Sequence, residues 1–230
     1  MFIELMRDYE AVVSGCHALE FIMPSPDVPW TLAAADLDLY VPLGLEQPFI
    51  DFLEIFEGYD CKPRTRPASR KDLVRLSIYP NTFSSMFTLH HPDTKRSIDI
   101  IVSCDASPLS PIFQFHSTPV MNWITADAVC SAYPLYTFAS RGIVNPLVLA
   151  DDEYLPSSLR AIYKYRRHRH FDFQLDPSPW LGWHDCSRPL MCPHSVRSTI
   201  DGACLCVTFN GDSRSMTGRI VRDDRKLASD

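Results

Sequence analysis

The sequence predicts an α+β domain followed by a loop-rich appendage, and three stretches carry that prediction. Ala35-Asp36-Leu37-Asp38-Leu39-Tyr40-Val41 reads as a β-strand whose alternation sends Asp36 and Asp38 to one face and Leu37 and Leu39 to the other. Glu46 to Glu57 follows a helical period, with Phe49, Phe52, Leu53 and Phe56 on one side and Asp51, Glu54 and Glu57 on the other. Beyond Phe173, prolines, tryptophans and cysteines crowd together without a period, which is the signature of a loop-built tail. The division drawn from this is a domain over 1–150 and a helix plus Cys-rich appendage over 151–230.

The elements follow in chain order. Residues 2–13 read as a helix that turns extended at Ala11-Val12-Val13. Ser14-Gly15-Cys16-His17-Ala18-Leu19 is a tight turn opening a second helix, His17 to about Met23. Glycine permits the backbone geometry there, and free amides at a helix start suit phosphate. Pro24-Ser25-Pro26-Asp27-Val28-Pro29 cannot continue a helix and leads into the acidic strand, which Pro42 ends. Gly58 caps the 46–57 helix, and Lys62 to Lys71 is a basic, proline-bearing loop.

Leu73–Tyr79 and Met86–His90 are expected as strands. His91 to Lys95 is the turn of a hairpin, and Arg96 to Val102 is its second strand, with Asp99 inside an apolar run. Pro108–Phe113 is expected as a short helix, and Phe115–Thr118 as a return to the sheet. Ala126–Ser131 is expected as another short helix, and 133–149 as strand-like or irregular. Ser158 to about His170 is a helix ending in a run of cations.

Composition narrows the functional classes. The 230 residues are 46% hydrophobic and 22% charged, a globular rather than a disordered balance. A net charge of −6 argues against broad adhesion to nucleic acid or anionic membrane, though not against a local basic patch. Apolar runs stay short of the roughly 18–20 residues of a membrane span, and the N-terminal stretch lacks a signal peptide's layout. A soluble intracellular protein with no membrane partner is therefore expected, cytoplasmic and nuclear location being equally open. Nineteen prolines against eight glycines indicate many fixed loops.

The chemistry concentrates on three acids. Two like charges on one strand face are costly unless solvent, an arginine or a divalent metal lies between them. If the strand bearing Asp99 pairs with the strand bearing Asp36 and Asp38, the three carboxylates form one site. Hard oxygen donors of that kind suit magnesium or manganese, with substrate phosphates completing the shell.

The order of Ser14-Gly15-Cys16-His17-Ala18-Leu19, Asp36-Leu37-Asp38-Leu39 and Ile98-Asp99-Ile100 resembles the nucleotidyltransferase superfamily, the polymerase-β-like fold. Within it the chain is most similar to uncharacterised fungal members and, more distantly, to nucleotidyltransferase-type toxins of abortive-infection systems. The resemblance covers residues 1 to about 125. It implies a mixed β-sheet flanked by helices, with two magnesium or manganese ions held by Asp36, Asp38 and Asp99. It also implies a nucleoside triphosphate lying against Ser14, Gly15 and Cys16, whose nucleoside monophosphate passes to a hydroxyl acceptor. That acceptor, whether RNA, protein or small molecule, is not identified by the resemblance. Lys95, Arg96 and the 62–71 loop are candidates to meet the phosphates. The superfamily usually carries a serine directly after the glycine; here Cys16 stands in its place, with Ser14 able to compensate, and the gap from Gly15 to Asp36 is longer than usual.

Each motif also has a plainer account. Asp36 and Asp38 would serve equally as a strand edge facing solvent or nearby arginines. The 62–71 loop would then be a solvated connection, Tyr163 to His170 a helix with a charged face, and His116 a hydrogen-bonded structural group. An inactive relative that binds nucleotide, RNA or protein through the same cleft is the functional alternative, and an adaptor acting through its tail is a third. In that tail Cys186, Cys192, His194, Cys204 and Cys206 supply enough soft ligands for a structural zinc, in spacings unlike a standard finger. The competing account is that the cysteines, Cys130 among them, are ordinary reduced thiols.

Overall fold

A computed structural model describes residues 1–24, 36–63, 83–146, 155–181, 199 and 201–209. The proline loop, the basic loop from Arg64 onward, the expected strand 73–79, and Cys186, Cys192 and His194 lie outside the described residues. The fold is α+β, built on a mixed, mostly antiparallel sheet flanked by helices.

Helix α1 (Phe2–Asp8) leads through Ala11 into strand β1 (Val12–Ser14), and α2 (Gly15–Ile22) starts on the next residue. Strand β2 (Asp36–Val41) lies antiparallel to β1 with Ser14 opposite Asp38. Helix α3 (Gln47–Ile55) follows, with Pro48 in its first turn, where a missing N–H costs nothing. Gly58 then takes a φ of 72°, and the Tyr59 N–H donates back to the Leu53 carbonyl at 2.9 Å, as the expected cap requires.

Strand β3 (Asp60–Pro63) runs into what the sequence suggested was loop and pairs with β4 (Phe83–His90). Strand β4 forms the expected hairpin with β5 (Ser97–Ser103). His91 organises its turn: the ring Nδ1 accepts from the backbone N–H groups of Asp93 and Thr94 at 3.1 and 3.3 Å.

In the main sheet the order is β10-β7-β6-β1-β2-β5-β4-β3, where β6 is Asn122–Ile124, β7 Ala128–Ser131 and β10 Leu205–Thr208. Among its described pairs, only β2 and β5 run parallel. Leu39, Val41, Ile98, Ile100 and Val102 point to the face covered by α1 and α3, where Phe49, Phe52 and Leu53 are buried against them. Tyr40, Ile101 and Val12 belong to the other face and to a second core with Trp123 and Tyr133. Period two thus separates the apolar face of β2 from its acidic face.

Several sequence expectations are corrected. Residues 128–131 are strand β7 and not a short helix, because their ladder bonds are taken on both sides, by β6 and β10. Residues 108–118 hold a 3₁₀ turn at Ile112–Gln114, a single bridge from Ser117 to Val144 and the start of a second 3₁₀ turn at Thr118–Val120, and the chain re-enters the sheet later, at β6. Within 133–149 there is a helix, α4 (Pro134–Phe138), before strand β8 (Arg141–Ile143). Helix α5 (Leu155–Arg169) is followed by β9 (Asp172–Gln174), which pairs parallel to β8 in a small second sheet, and by the single turn α6 (Ser178–Leu181). Residues 205–208, expected as tail loop, are β10, so residues on either side of 150 share one sheet.

The cysteine reading is corrected too. Cys206 and Cys130 face each other across the β10–β7 ladder with Cα atoms 4.1 Å apart and are joined as a disulfide. A sulfur so bonded offers no thiolate, so Cys206 leaves the zinc set and Cys130 is not a reduced thiol. Cys204 is buried among apolar neighbours. The bridge closes a sequence separation of 76 residues. On loop-closure grounds, reduction is expected to cost about 2–4 kcal/mol, seen as a lower melting temperature in thiol reductant. Cys130→Ser/Cys206→Ser should melt at that lower temperature with or without reductant. Equal melting of wild type in both conditions would show that the bridge contributes nothing. Among the described residues, no helix is long and apolar enough to cross a membrane.

Candidate functional site

Three strand positions and one helix start meet on the second face of the sheet. Asp36 and Asp38 are on that face of β2 by alternation. The parallel register sets Asp99 of β5 beside Asp38 and Ser97 beside Asp36. Ser97 donates its hydroxyl to Asp36 Oδ1, and Thr88 of β4 donates to Asp99 Oδ1 at 2.5 Å. The two flanking acids therefore each hold a neighbouring hydroxyl.

The start of α2 is pressed against the third acid. Gly15 has a φ of 68°, and a Cβ built on it would lie 2.2 Å from Asp38 Oδ2. Both facts demand glycine: an L side chain is strained at that φ, and there is no room for a methyl group. The opening amides of an α-helix have no intrahelical acceptor, and Ser14 makes no side-chain cap to them. Instead the Ser14 hydroxyl, fully buried, donates to the Asn122 carbonyl at 2.5 Å, which commits it away from any ligand. Cys16 lies beside His17, its Sγ 3.7 Å from Nδ1; burial, and secondarily the Asp38 charge, push its thiol above the usual range.

A cleft of about 230 Å³ opens here, walled by Gly15, Cys16, Asp36 and Asp38 on one side and by His116, Lys164 and Tyr165 on the other. Burial raises the Asp38 carboxyl to about 7, with the charges of Asp99 and then Asp36 adding to the shift and Lys164 opposing it. Burial, assisted by Lys164, depresses His116 to about 4. The imidazole is therefore neutral across the physiological range; its Nδ1 pairs with the Ser117 hydroxyl at 2.8 Å, in keeping with the structural account of this residue.

Helix α5 brings Lys164 and Tyr165 to the wall. Tyr165 packs in a small core with Leu19, Val120 and Phe171. Arg169 reaches α2, bonding Glu20 at 2.6 Å and the Met23 carbonyl at 2.5 Å, with both charged side chains nearly buried. This clamp fixes α5 against the helix that carries Gly15. Sequence reasoning missed Lys164 as a wall residue, because its basic helix reads equally well as a solvated face. Of the cations it favoured, Lys95 donates to the Pro92 carbonyl in the β4–β5 turn, and the loop from Arg64 lies outside the described residues.

Among the described residues, no three His, Cys, Asp or Glu side chains are gathered closely enough to hold a metal ion as they stand. The donor chemistry nevertheless suits a hard divalent cation. Three carboxylates share a face, and Asp38 among them is driven toward neutrality by desolvation and then by its acidic neighbours. The Ser97 and Thr88 hydroxyls each occupy only Oδ1, so Oδ2 of Asp36 and of Asp99 would be the oxygens offered to an ion.

Compared with known proteins, the chain matches no family model, no curated protein and no solved structure. The case for a function therefore rests on the cleft itself.

Proposed function

We propose that the cleft is a metal-dependent nucleotidyltransferase site, moving a nucleoside monophosphate from a nucleoside triphosphate to a hydroxyl acceptor. One observation carries the reading: the left-handed Gly15 that opens α2 lies against the Asp38 carboxylate, which is itself paired in register with Asp99. An anion-attracting helix start beside clustered acids is contradictory as a structural device. It makes sense where phosphate and cation meet.

The residues then divide the work. The amides of Gly15 and Cys16 receive the triphosphate without a side chain in the way, and no acidic residue in the first turn of α2 repels it. Lys164, on the opposite wall, adds positive charge facing the same space. Asp36, Asp38 and Asp99 would hold magnesium or manganese, which supplies the charge neutralisation that in-line attack and pyrophosphate departure require. Asp38 must be ionised for this, so triphosphate binding with its cation releases a proton from a carboxyl that titrates at about 7.

A second reading, a catalytically silent module that binds nucleotide, RNA or protein, draws on two observations. The Ser14 hydroxyl is spent on Asn122, with Cys16 in place of a second hydroxyl, and Asp36 and Asp99 already have hydroxyl partners. Calorimetric titration of manganese with a non-hydrolysable ATP analogue separates the readings from a mere acidic strand edge. Binding to wild type that requires the metal, and at least tenfold weaker binding to Asp36→Asn/Asp38→Asn, is expected. Equal binding by both folded proteins, or none by wild type across the four nucleotides, overturns the site. Pyrophosphate release with candidate acceptors then distinguishes the active from the silent form.

A further inference from the structure

The chain is acidic overall, at −6, yet Leu155 to Phe171 carries Arg160, Lys164, Arg166, Arg167 and Arg169 without a single acid. Their placement on α5 is not uniform. Arg169 is spent on the buried clamp to Glu20, and Lys164 faces the cleft. Arg160 and Arg167 are exposed on the side away from the core contacts of Ser158 and Tyr165, and Arg166 is exposed on the flank. Between Arg160 and Arg167, two turns or about 10 Å apart, Tyr163 lies on the same stripe and is 60% exposed. Arg167 Nη1 donates to the Tyr163 hydroxyl at 3.1 Å, so a guanidinium stands beside the ring.

A cationic last turn alone is accounted for by the helix dipole. That account does not reach Arg160, more than two turns upstream, nor an aromatic ring left in water between cations. Alternating arginines and an exposed ring is what a flexible polyanion with stackable bases requires: charges for the phosphates, a face for a base. A folded acidic protein would use the charges but not the ring.

We propose that the exposed stripe Arg160–Tyr163–Arg167 of α5 binds single-stranded nucleic acid and leads it past Lys164 to the mouth of the cleft. As the source of the hydroxyl acceptor this rests on the proposed function. As a binding surface it does not, and the experiment reads binding alone, without metal or nucleotide.

The test is fluorescence anisotropy of a labelled 20-nucleotide single-stranded RNA of mixed sequence with the full chain, at salt from about 50 to 200 mM. Wild type is expected to bind with a steep salt dependence. Arg160→Ala/Arg167→Ala should weaken binding about tenfold or more and flatten the log–log salt slope by about 1.4, at roughly 0.7 per phosphate contact. Tyr163→Ala should weaken it by about tenfold with the slope unchanged, and Tyr163→Phe should restore it. All three substituted positions are exposed, and matching thermal melts confirm intact folding. Absence of wild-type binding at low salt overturns the proposal, as does unchanged affinity in the arginine variant. Inorganic polyphosphate or anionic phospholipid vesicles bound as tightly as the RNA, with Tyr163→Ala indifferent, would overturn the nucleic-acid assignment and leave a general anion surface.

Discussion

Gly15→Ala is expected to lower stability by about 3–4 kcal/mol, through left-handed strain of about 1–2 kcal/mol and a steric overlap of similar or larger size. For a chain of this length that is a melting shift of about 10 °C. The added methyl would meet Asp38 Oδ2 at 2.2 Å, so either the carboxylate or the start of α2 must move, and the candidate site opens with it. The two contributions separate in a double-mutant cycle. Asp38→Ala removes the obstructing carboxylate but leaves the strained φ, so Gly15→Ala/Asp38→Ala should be more stable than the sum of the single effects by about 1–3 kcal/mol. Additivity within about 0.5 kcal/mol would show that the carboxylate is not what excludes a side chain at position 15.

The second expectation concerns pH, where two partly buried groups act in opposite directions. Asp38 titrates at about 7 in the folded chain, against about 3.9 unfolded. Between those values the folded state keeps a proton that the unfolded state has lost. Stability therefore falls as pH rises through this window, by about 4 kcal/mol in all. His116 titrates at about 4 folded, against about 6.5 unfolded. Across that window the unfolded state holds the extra proton, so stability rises with pH, by about 3 kcal/mol.

The two slopes nearly cancel between about pH 4.5 and 6.5, and urea melts of the wild type with a chelator present should be close to flat there. Asp38→Asn should expose the rise and His116→Gln the fall. At pH 7.5 in chelator, Asp38→Asn is expected to be roughly 2–4 kcal/mol more stable than wild type, because the desolvation cost of the charged carboxylate, and secondarily the repulsion from Asp99 and Asp36, is gone. Manganese should then stabilise wild type and not the variant. A variant no more stable than wild type at that pH would mean that neither burial nor the neighbouring acids hold the Asp38 carboxyl above its ordinary range. A stability gain coupled to lost ligand binding is what a functional rather than structural carboxylate produces.

Much of this site could be read from the chain, and the reason is local. Alternation in Asp36 to Val41 placed two acids on one face, and an apolar run around Asp99 marked the neighbouring strand. Gly15 was conspicuous as the residue between an apolar strand and a helix. What escaped was everything set by long-range partners. Ala128 to Ser131 has no strong period, and only its neighbours β6 and β10 make it a strand. Lys164 differs in no local respect from the cations around it; its role comes from Tyr165 being buried one residue on and from the Arg169–Glu20 clamp. Ser14 reads locally as free to meet phosphate, but its hydroxyl donates to the Asn122 carbonyl, 108 residues away. The Cys130–Cys206 pair is another case, because register across a sheet is invisible in spacing.

The single parallel seam described in the main sheet has a consequence for how the molecule comes into being. Strands β4 and β5 are a hairpin that can form from short-range contacts, and β1 and β2 pair over a shorter stretch of chain than the seam does. The seam between the two pairs joins residues 61 positions apart, as from Asp36 to Ser97, and parallel strands need a long crossover before they can meet. Asp38 enters on one subassembly and Asp99 on the other. Neither piece owns a site; a nascent or partly folded chain carries isolated carboxylates that any solvent ion visits weakly. The acidic pair comes into existence only when the two halves dock, which makes it a property of the finished sheet and of no shorter segment.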